Sequence, residues 1–224
     1  MDRLLPQWTP GPSSPLRKLL WLGIFVPVVD VCLIALFASL HPDYDHLRQL
    51  MSELGEDGRP YAGLVNAWFA LSSVLLVGFG IGLAALLPRS RVALIGAALF
   101  LIWAALGIAT AILACDPGCE GKTISGWLHL LLGEIAAAAM LPVPTLIWCT
   151  VGRGDARRGF GLLTAVVQLV AVISSIGMAA AAYEAEIADQ SLRELAGLFQ
   201  RVCWAGYYLW IVVMAVRMMR LIRD

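Results

Sequence analysis

Hydrophobic residues in this chain gather into six long blocks separated by short polar segments: Leu19–Leu40, Leu64–Leu87, Val92–Ala114, Trp127–Thr150, Phe160–Ala182 and Gly197–Val216. Each block holds about the twenty residues that a helix rising about 1.5 Å per residue needs to cross about 30 Å of hydrocarbon. Uninterrupted runs of this length predict membrane spans rather than the buried elements of a large soluble core. The fold expected is therefore all-α: a polytopic membrane protein with a six-transmembrane-helix bundle. Its parts are an N-terminal tail over 1–18, a membrane domain over 19–216 and a basic tail over 217–224. The first block exceeds a signal-peptide core in length, and no small-x-small cleavage site follows it, so it reads as a retained helix.

The polar segments refine the picture. Pro88–Arg91 and Val151–Gly159 are short, which predicts tight antiparallel pairing of the second helix with the third and the fourth with the fifth. The segment His41–Gly63 is longer. Tyr44, Leu47, Met51 and Leu54 recur there at three- and four-residue spacing, predicting an amphipathic helix lying on the membrane surface. Pro27, Pro142 and Pro144 are expected to kink their helices. Gly78, Gly80 and Gly82, and the pair Gly133 with Ala137, are expected where helices pack closely. Pro6, Pro10, Pro12 and Pro15 mark a structureless start. Internal repeats of the kind that build many transporters are absent from the sequence.

Composition agrees, with 60% hydrophobic and 14% charged residues and a net charge of zero. A soluble domain would carry about a quarter charged residues. The neutral balance gives no support for a nucleic-acid partner. Charge distribution says more than its total. Eleven of the sixteen basic residues fall in 1–18, 88–91, 151–159 and 217–224, and five elsewhere. The positive-inside rule then puts both termini in the cytoplasm of a cell inner (plasma) membrane protein, with the longer loops outside. Trp21 and Trp148 sit near one interface, and Trp68, Trp127 and Trp204 near the other.

Ionisable groups inside the spans are the first candidates for chemistry, because burying them in hydrocarbon is costly. Asp30 falls near the middle of the first span, and Glu134 near the outer end of the fourth. Together they could form an acidic path inward. His41, His46 and His129 all fall at the outer interface, with Asp43, Asp45, Asp116 and Glu134 nearby. Such a set could hold zinc or move protons, although no paired-histidine helix motif is present. Cys115-Asp116-Pro117-Gly118-Cys119 sits where the third helix emerges. A turn there could close a disulfide between Cys115 and Cys119 in an oxidising compartment, with Cys203 a competing partner and metal ligation a further use. Cys32 and Cys149 read as fillers.

The segments His41-Pro42-Asp43-Tyr44, Ser52-Glu53-Leu54-Gly55, Cys115-Asp116-Pro117-Gly118, His129 with Gly133, and Gly197 with Gln200-Arg201 occur in that order along most of the chain. In this the chain resembles the multi-helix prokaryotic membrane proteins of domain-of-unknown-function family 998. The resemblance implies a six-helix membrane protein with no assigned activity. It directs attention to Tyr44, Ser52, Glu53, Asp116, His129, Gln200 and Arg201. A chemical analogy also exists with alkaline ceramidases and adiponectin receptors, which use Ser, Asp and three His around zinc. This chain has those residue types but lacks that group's paired-histidine helix motif.

Three functions follow as expectations. In the first, a membrane-embedded enzyme acts on a lipid or lipid-linked substrate at the outer leaflet. Ser52 would be nucleophile or anchor, Asp116 would orient His129, and His129 would be general base. Tyr44, Glu53, Glu134, Gln200 and Arg201 would bind substrate, Arg201 suiting a phosphate or carboxylate. In the second, a non-catalytic scaffold ties its helix ends together through pairs such as Arg201 with Glu53 or Asp116. In the third, a proton-coupled transporter uses Asp30 and Glu134. Membrane lipids are the partners common to all three.

Overall fold

A computed structural model describes residues 15–151, 155–184 and 192–222. Residues 1–14 of the tail expected over 1–18, the last two residues, and parts of the 151–159 and 183–196 connections lie outside the described residues. Among the described residues the chain is all-α. The helices are α1 (Pro15–Ser39), α2 (Ala62–Leu86), α3 (Arg91–Ile112), α4 (Ile124–Met140), α5 (Val143–Thr150), α6 (Asp155–Glu184) and α7 (Ala196–Leu221). Short 3-10 turns occupy Met51–Gly55, Pro117–Cys119 and Arg193–Leu195.

Six helices are long and apolar enough to cross a membrane, with α4 and α5 together forming the fourth, Ile124–Thr150. The break between them falls at Leu141-Pro142, where proline lacks the N–H that would continue the ladder and its ring crowds the preceding turn. Pro27 lies inside α1 and is buried. The hydropathy pattern thus predicted the architecture correctly.

Neighbouring spans pack in the order α4–α3–α2–α1–α7–α6, and α5 closes on α3 and α6. An aromatic series holds the middle of the bundle. Phe79 of α2 meets Phe100 of α3 at 5.5 Å between ring centroids, Phe100 meets Trp103 at 5.3 Å, and Trp103 meets Trp204 of α7 at 5.5 Å. Edge-to-face and tilted geometries of this kind suit the ring quadrupoles and add to simple burial. Gly78 and Gly82 lie against Leu22 and Leu19 of α1, and Gly80 against Leu101 and Phe100 of α3. Those three glycines are packing positions, as their spacing predicts. Gly133 is not, because a Cβ built on it would meet nothing within 4 Å.

The bundle has two unlike ends. One carries the short α2–α3 turn and the α5–α6 connection. The other, here the polar end, carries the long 40–61 segment and the 113–123 turn. The amphipathic helix expected within 41–63 does not form: the segment is a chain of turns that includes the 3-10 turn Met51–Gly55. The cause lies in where its carbonyls go. Leu47 O and Arg48 O accept from the backbone N–H groups of Leu198 and Gly197 at the start of α7. Asp45 Oδ1 captures Leu47 N–H at 2.8 Å, an Asx-type turn that competes with a helical ladder. Tyr44, Met51 and Leu54 are buried as their pattern implies, whereas Leu47 is half exposed.

Candidate functional site

Arg201, one turn into α7, organises the polar end. Its guanidinium donates to three backbone carbonyls, His46 O at 2.7 Å, Gln49 O at 2.8 Å and Gly197 O at 2.9 Å, and to the Tyr44 hydroxyl. A planar fork of donors suits such convergent acceptors, where a lysine would satisfy fewer. The Tyr44 hydroxyl in turn donates to Leu50 O at 2.8 Å. The Arg59 and Arg201 guanidiniums lie over its ring, 6.0 and 5.4 Å from the centroid. Burial pushes the hydroxyl up to about 12 despite the opposing pull of Arg201. Gly197 makes the close approach feasible: a Cβ there would stand 2.3 Å from Gln49 O.

Gln200, beside Arg201, accepts Met51 N–H at 2.6 Å through Oε1. Glu53 accepts Leu50 N–H at 2.7 Å and Gln49 Nε2 at 3.0 Å. Burial raises its carboxyl above the ordinary 4.5, with those two donors lowering it only in part. Glu53 therefore bonds within its own turn and not to Arg201.

The 115–121 turn docks on the same segment. Asp57 N–H donates to Cys115 O at 3.1 Å, and Gly118 N–H to Glu56 Oε2 at 2.7 Å. Glu56 also pairs with Arg59 at 2.7 Å. Asp116 is buried, and Thr123 occupies both its oxygens, through backbone N–H and hydroxyl, each at 2.7 Å. Those bonds hold its carboxyl below the ordinary range. Thr123 in turn accepts Gly126 N–H at 3.0 Å, the N-cap of α4. Asp116 thus anchors a helix cap. Cys115 and Cys119 are joined as a disulfide with Cα atoms 5.1 Å apart. Ser52 Oγ lies 3.4 Å from Cys119 Sγ.

His129, in the second turn of α4, places Nδ1 2.7 Å from Leu113 O and 2.9 Å from Thr110 O. Carbonyls only accept, so Nδ1 carries the proton and Nε2 is the basic nitrogen of the neutral ring. Neither Asp116 nor Ser52 hydrogen-bonds to it among the described residues. The three histidines do not share a ligand cluster there either. His41 is buried between Phe37 O and Pro60 O, and His46 is exposed, edge-on to Tyr44. Instead a ring nitrogen of His129 lies within 4.8 Å of the Cys115 and Cys119 sulfurs.

Below this roof lies a cavity of about 980 Å³. Arg48, Glu53, Cys119, Arg193, Glu194 and Gln200 line it at the polar end. Ser52, His129, Gly133, Glu134 and Asp30 line it as well. Asp30 lies nine residues before the end of α1, about 14 Å along the helix axis. It accepts Trp68 Nε1 at 2.6 Å and the Tyr208 hydroxyl at 2.7 Å, both neutral donors. Phe69, Leu76, Trp103, Met178 and Trp204 supply apolar and aromatic wall. Glu134 is exposed, and no hydrogen bond or ion pair holds it among the described residues. The predicted site residues thus divide. Tyr44, Arg201 and Asp116 hold the roof together, Gln200 both holds Met51 and lines the cavity, and Ser52, Glu53, His129 and Glu134 line the space beneath.

Sequence reasoning passed over Glu56, Arg59 and Thr123. An i, i+3 acid–base pair flanking a loop, and a threonine just before an apolar run, were the signals present. The sequence model of a family described as "Protein of unknown function (DUF998)" matches residues 24–217. No curated protein and no solved structure matches the chain.

Proposed function

The chain belongs to the DUF998 family, and on that premise we propose that it binds an amphiphile, a lipid or lipid-linked molecule, in the cavity beneath its polar end. The eleven-to-five division of basic residues supports an orientation with that end outward from the plasma membrane and both termini cytoplasmic. The ligand then comes from the outer leaflet.

One observation carries the reading: Gly133 and Glu134, consecutive on a membrane-spanning helix, line the cavity without a packing or bonding partner. An intramembrane carboxylate is costly, and one left unpaired beside a void is matched to a donor or cation on something that enters. The cavity's polar rim and largely apolar depth fit a head group with chains attached. α4 packs on α3 and α6 on α7, and the faces α4 and α6 turn toward the cavity supply Gly133, Ala137, Ser175 and Met178. A route between those helices would admit chains from the side.

Chemistry on the bound molecule would rest on His129, whose Nε2 is the available base, with Ser52 the hydroxyl on the same lining. Asp116 has no part in that version, because Thr123 occupies it. The scaffold reading has one observation in its favour: every hydrogen bond of Arg201 goes to the chain's own acceptors.

The test is identification of amphiphiles that co-purify with full-length protein in mild detergent, against a Gly133→Phe variant whose ring projects into the cavity beside Glu134. One lipid class, enriched over the host membrane and lost in the variant, is expected. An identical, unselective lipid profile in both proteins rejects binding in the cavity.

A further inference from the structure

The group formed by Cys115, Cys119 and His129 holds more than a disulfide requires. A disulfide needs two sulfurs at bonding distance and nothing from a histidine. Here a ring nitrogen of His129 lies within 4.8 Å of both sulfurs. Leu113 O and Thr110 O fix the proton on Nδ1 and leave Nε2 with its lone pair. That is how histidine metal ligands are oriented, by a carbonyl that accepts from the other ring nitrogen and sets tautomer and ring plane. Two thiolates and one imidazole are a donor set suited to zinc, and one that leaves a fourth position open. Both cysteines are buried, and His129 and Cys119 line the cavity, so the open position would face it. Asp116 between the cysteines is committed to Thr123, which leaves sulfur and imidazole as the donors.

We propose that Cys115, Cys119 and His129 form a zinc site that the Cys115–Cys119 disulfide switches off. In the oxidised chain the two sulfurs bond to each other. A dithiol reductant breaks that S–S bond by exchange, leaving two protein thiols and a cyclic disulfide on the reductant. Zn2+ then binds the two sulfurs and His129 Nε2, releasing the two thiol protons. The Ser52 hydroxyl, 3.4 Å from Cys119 Sγ, donates to the thiolate in that state. The site stands independently of amphiphile binding.

The experiment takes full-length protein in detergent, either air-oxidised or reduced by a phosphine, which takes oxygen from water as it cleaves the disulfide. Each sample is supplied with Zn2+, desalted and assayed for metal; Co2+ serves as an optical probe through its thiolate charge-transfer absorption. About one zinc per reduced chain and none per oxidised chain are expected. Cys115→Ser should abolish the charge-transfer band, and His129→Ala should weaken binding at least about tenfold. The oxidised-against-reduced comparison uses wild-type protein alone, so it stands even where a variant fails to fold. Equal zinc in oxidised and reduced protein, or none in either, overturns the proposal. Unchanged affinity in folded His129→Ala removes His129 from the ligand set and overturns it equally.

Discussion

The Tyr208 hydroxyl of α7 donates a 2.7 Å hydrogen bond to Asp30 of α1, inside the bundle and on the lining of the cavity. Trp68 of α2 supplies the other oxygen's donor, so one carboxyl joins three helices. Removing one partner of a buried group costs more than the bond itself contributes, because the remaining group is left unsatisfied. Tyr208→Phe is expected to lower stability by about 1–3 kcal/mol, read from thermal unfolding in detergent. Unchanged unfolding in Tyr208→Phe would show that Asp30 finds its partner elsewhere.

Arg201 makes a sharper prediction because its acceptors are mostly backbone. Arg201→Lys keeps the charge but cannot reach three carbonyls and Tyr44 at once. It should destabilise the protein by about 2–3 kcal/mol and expose the 41–50 segment to protease. Ser52→Ala should leave thermal stability nearly unchanged. The reverse order would mean that Arg201 faces a ligand instead of the chain.

Two glycines should respond in opposite ways. Gly197→Ala places a Cβ against the Gln49 and His46 carbonyls, at 2.3 and 2.8 Å, which only a backbone shift relieves. Gly133→Ala meets nothing. The first should lower the unfolding temperature and the second leave it unchanged, or raise it slightly through helix propensity. Scanning fluorimetry on both variants decides the matter.

Two carboxyls at the polar end give pH dependences of opposite sign. Glu53 is raised above 4.5 in the folded chain by burial, so its favourable contribution is complete below that value and is lost as pH rises through the folded one. Asp116 is lowered from 3.8 by Thr123, so its contribution is present above 3.8 and is lost as pH falls through the folded value. Glu53→Gln should therefore gain on wild type as pH rises from 4.5 toward neutral. Asp116→Asn should lose to wild type at neutral pH and converge with it in acid. Unfolding temperatures measured from below pH 3.8 to neutral should show the Glu53→Gln difference opening above 4.5 and the Asp116→Asn difference closing below 3.8.

The spans were legible in the sequence because a hydrocarbon solvent demands long apolar helices, and block length alone reports that demand. Gly78, Gly80 and Gly82 were legible as packing positions for the same reason. The 41–60 segment was not. Its conformation depends on the carbonyls of His46, Leu47, Arg48 and Gln49, and a backbone carbonyl leaves no trace in residue identity. Apolar spacing in Tyr44, Leu47, Met51 and Leu54 predicted burial for three of the four, but the wrong secondary structure. Asp116 was singled out by its setting and was read as a partner for His129. The seven-residue reach to Thr123 is a contact of the folded turn. His129 showed in the sequence, but its approach to the two cysteines depends on how α3 and α4 pack.

Photolabelling would probe the amphiphile cavity itself. Full-length protein in membranes is irradiated with a phospholipid carrying a diazirine in its acyl chain, and labelled peptides are mapped by mass spectrometry. Labels on cavity-lining Gly133 or Ala137 of α4 and Ser175 or Met178 of α6 are expected, and Gly133→Phe should strip them away. Labels confined to exposed outer-surface residues such as Leu94 and Ile95, identical in wild type and Gly133→Phe, would contradict lipid entry into the cavity.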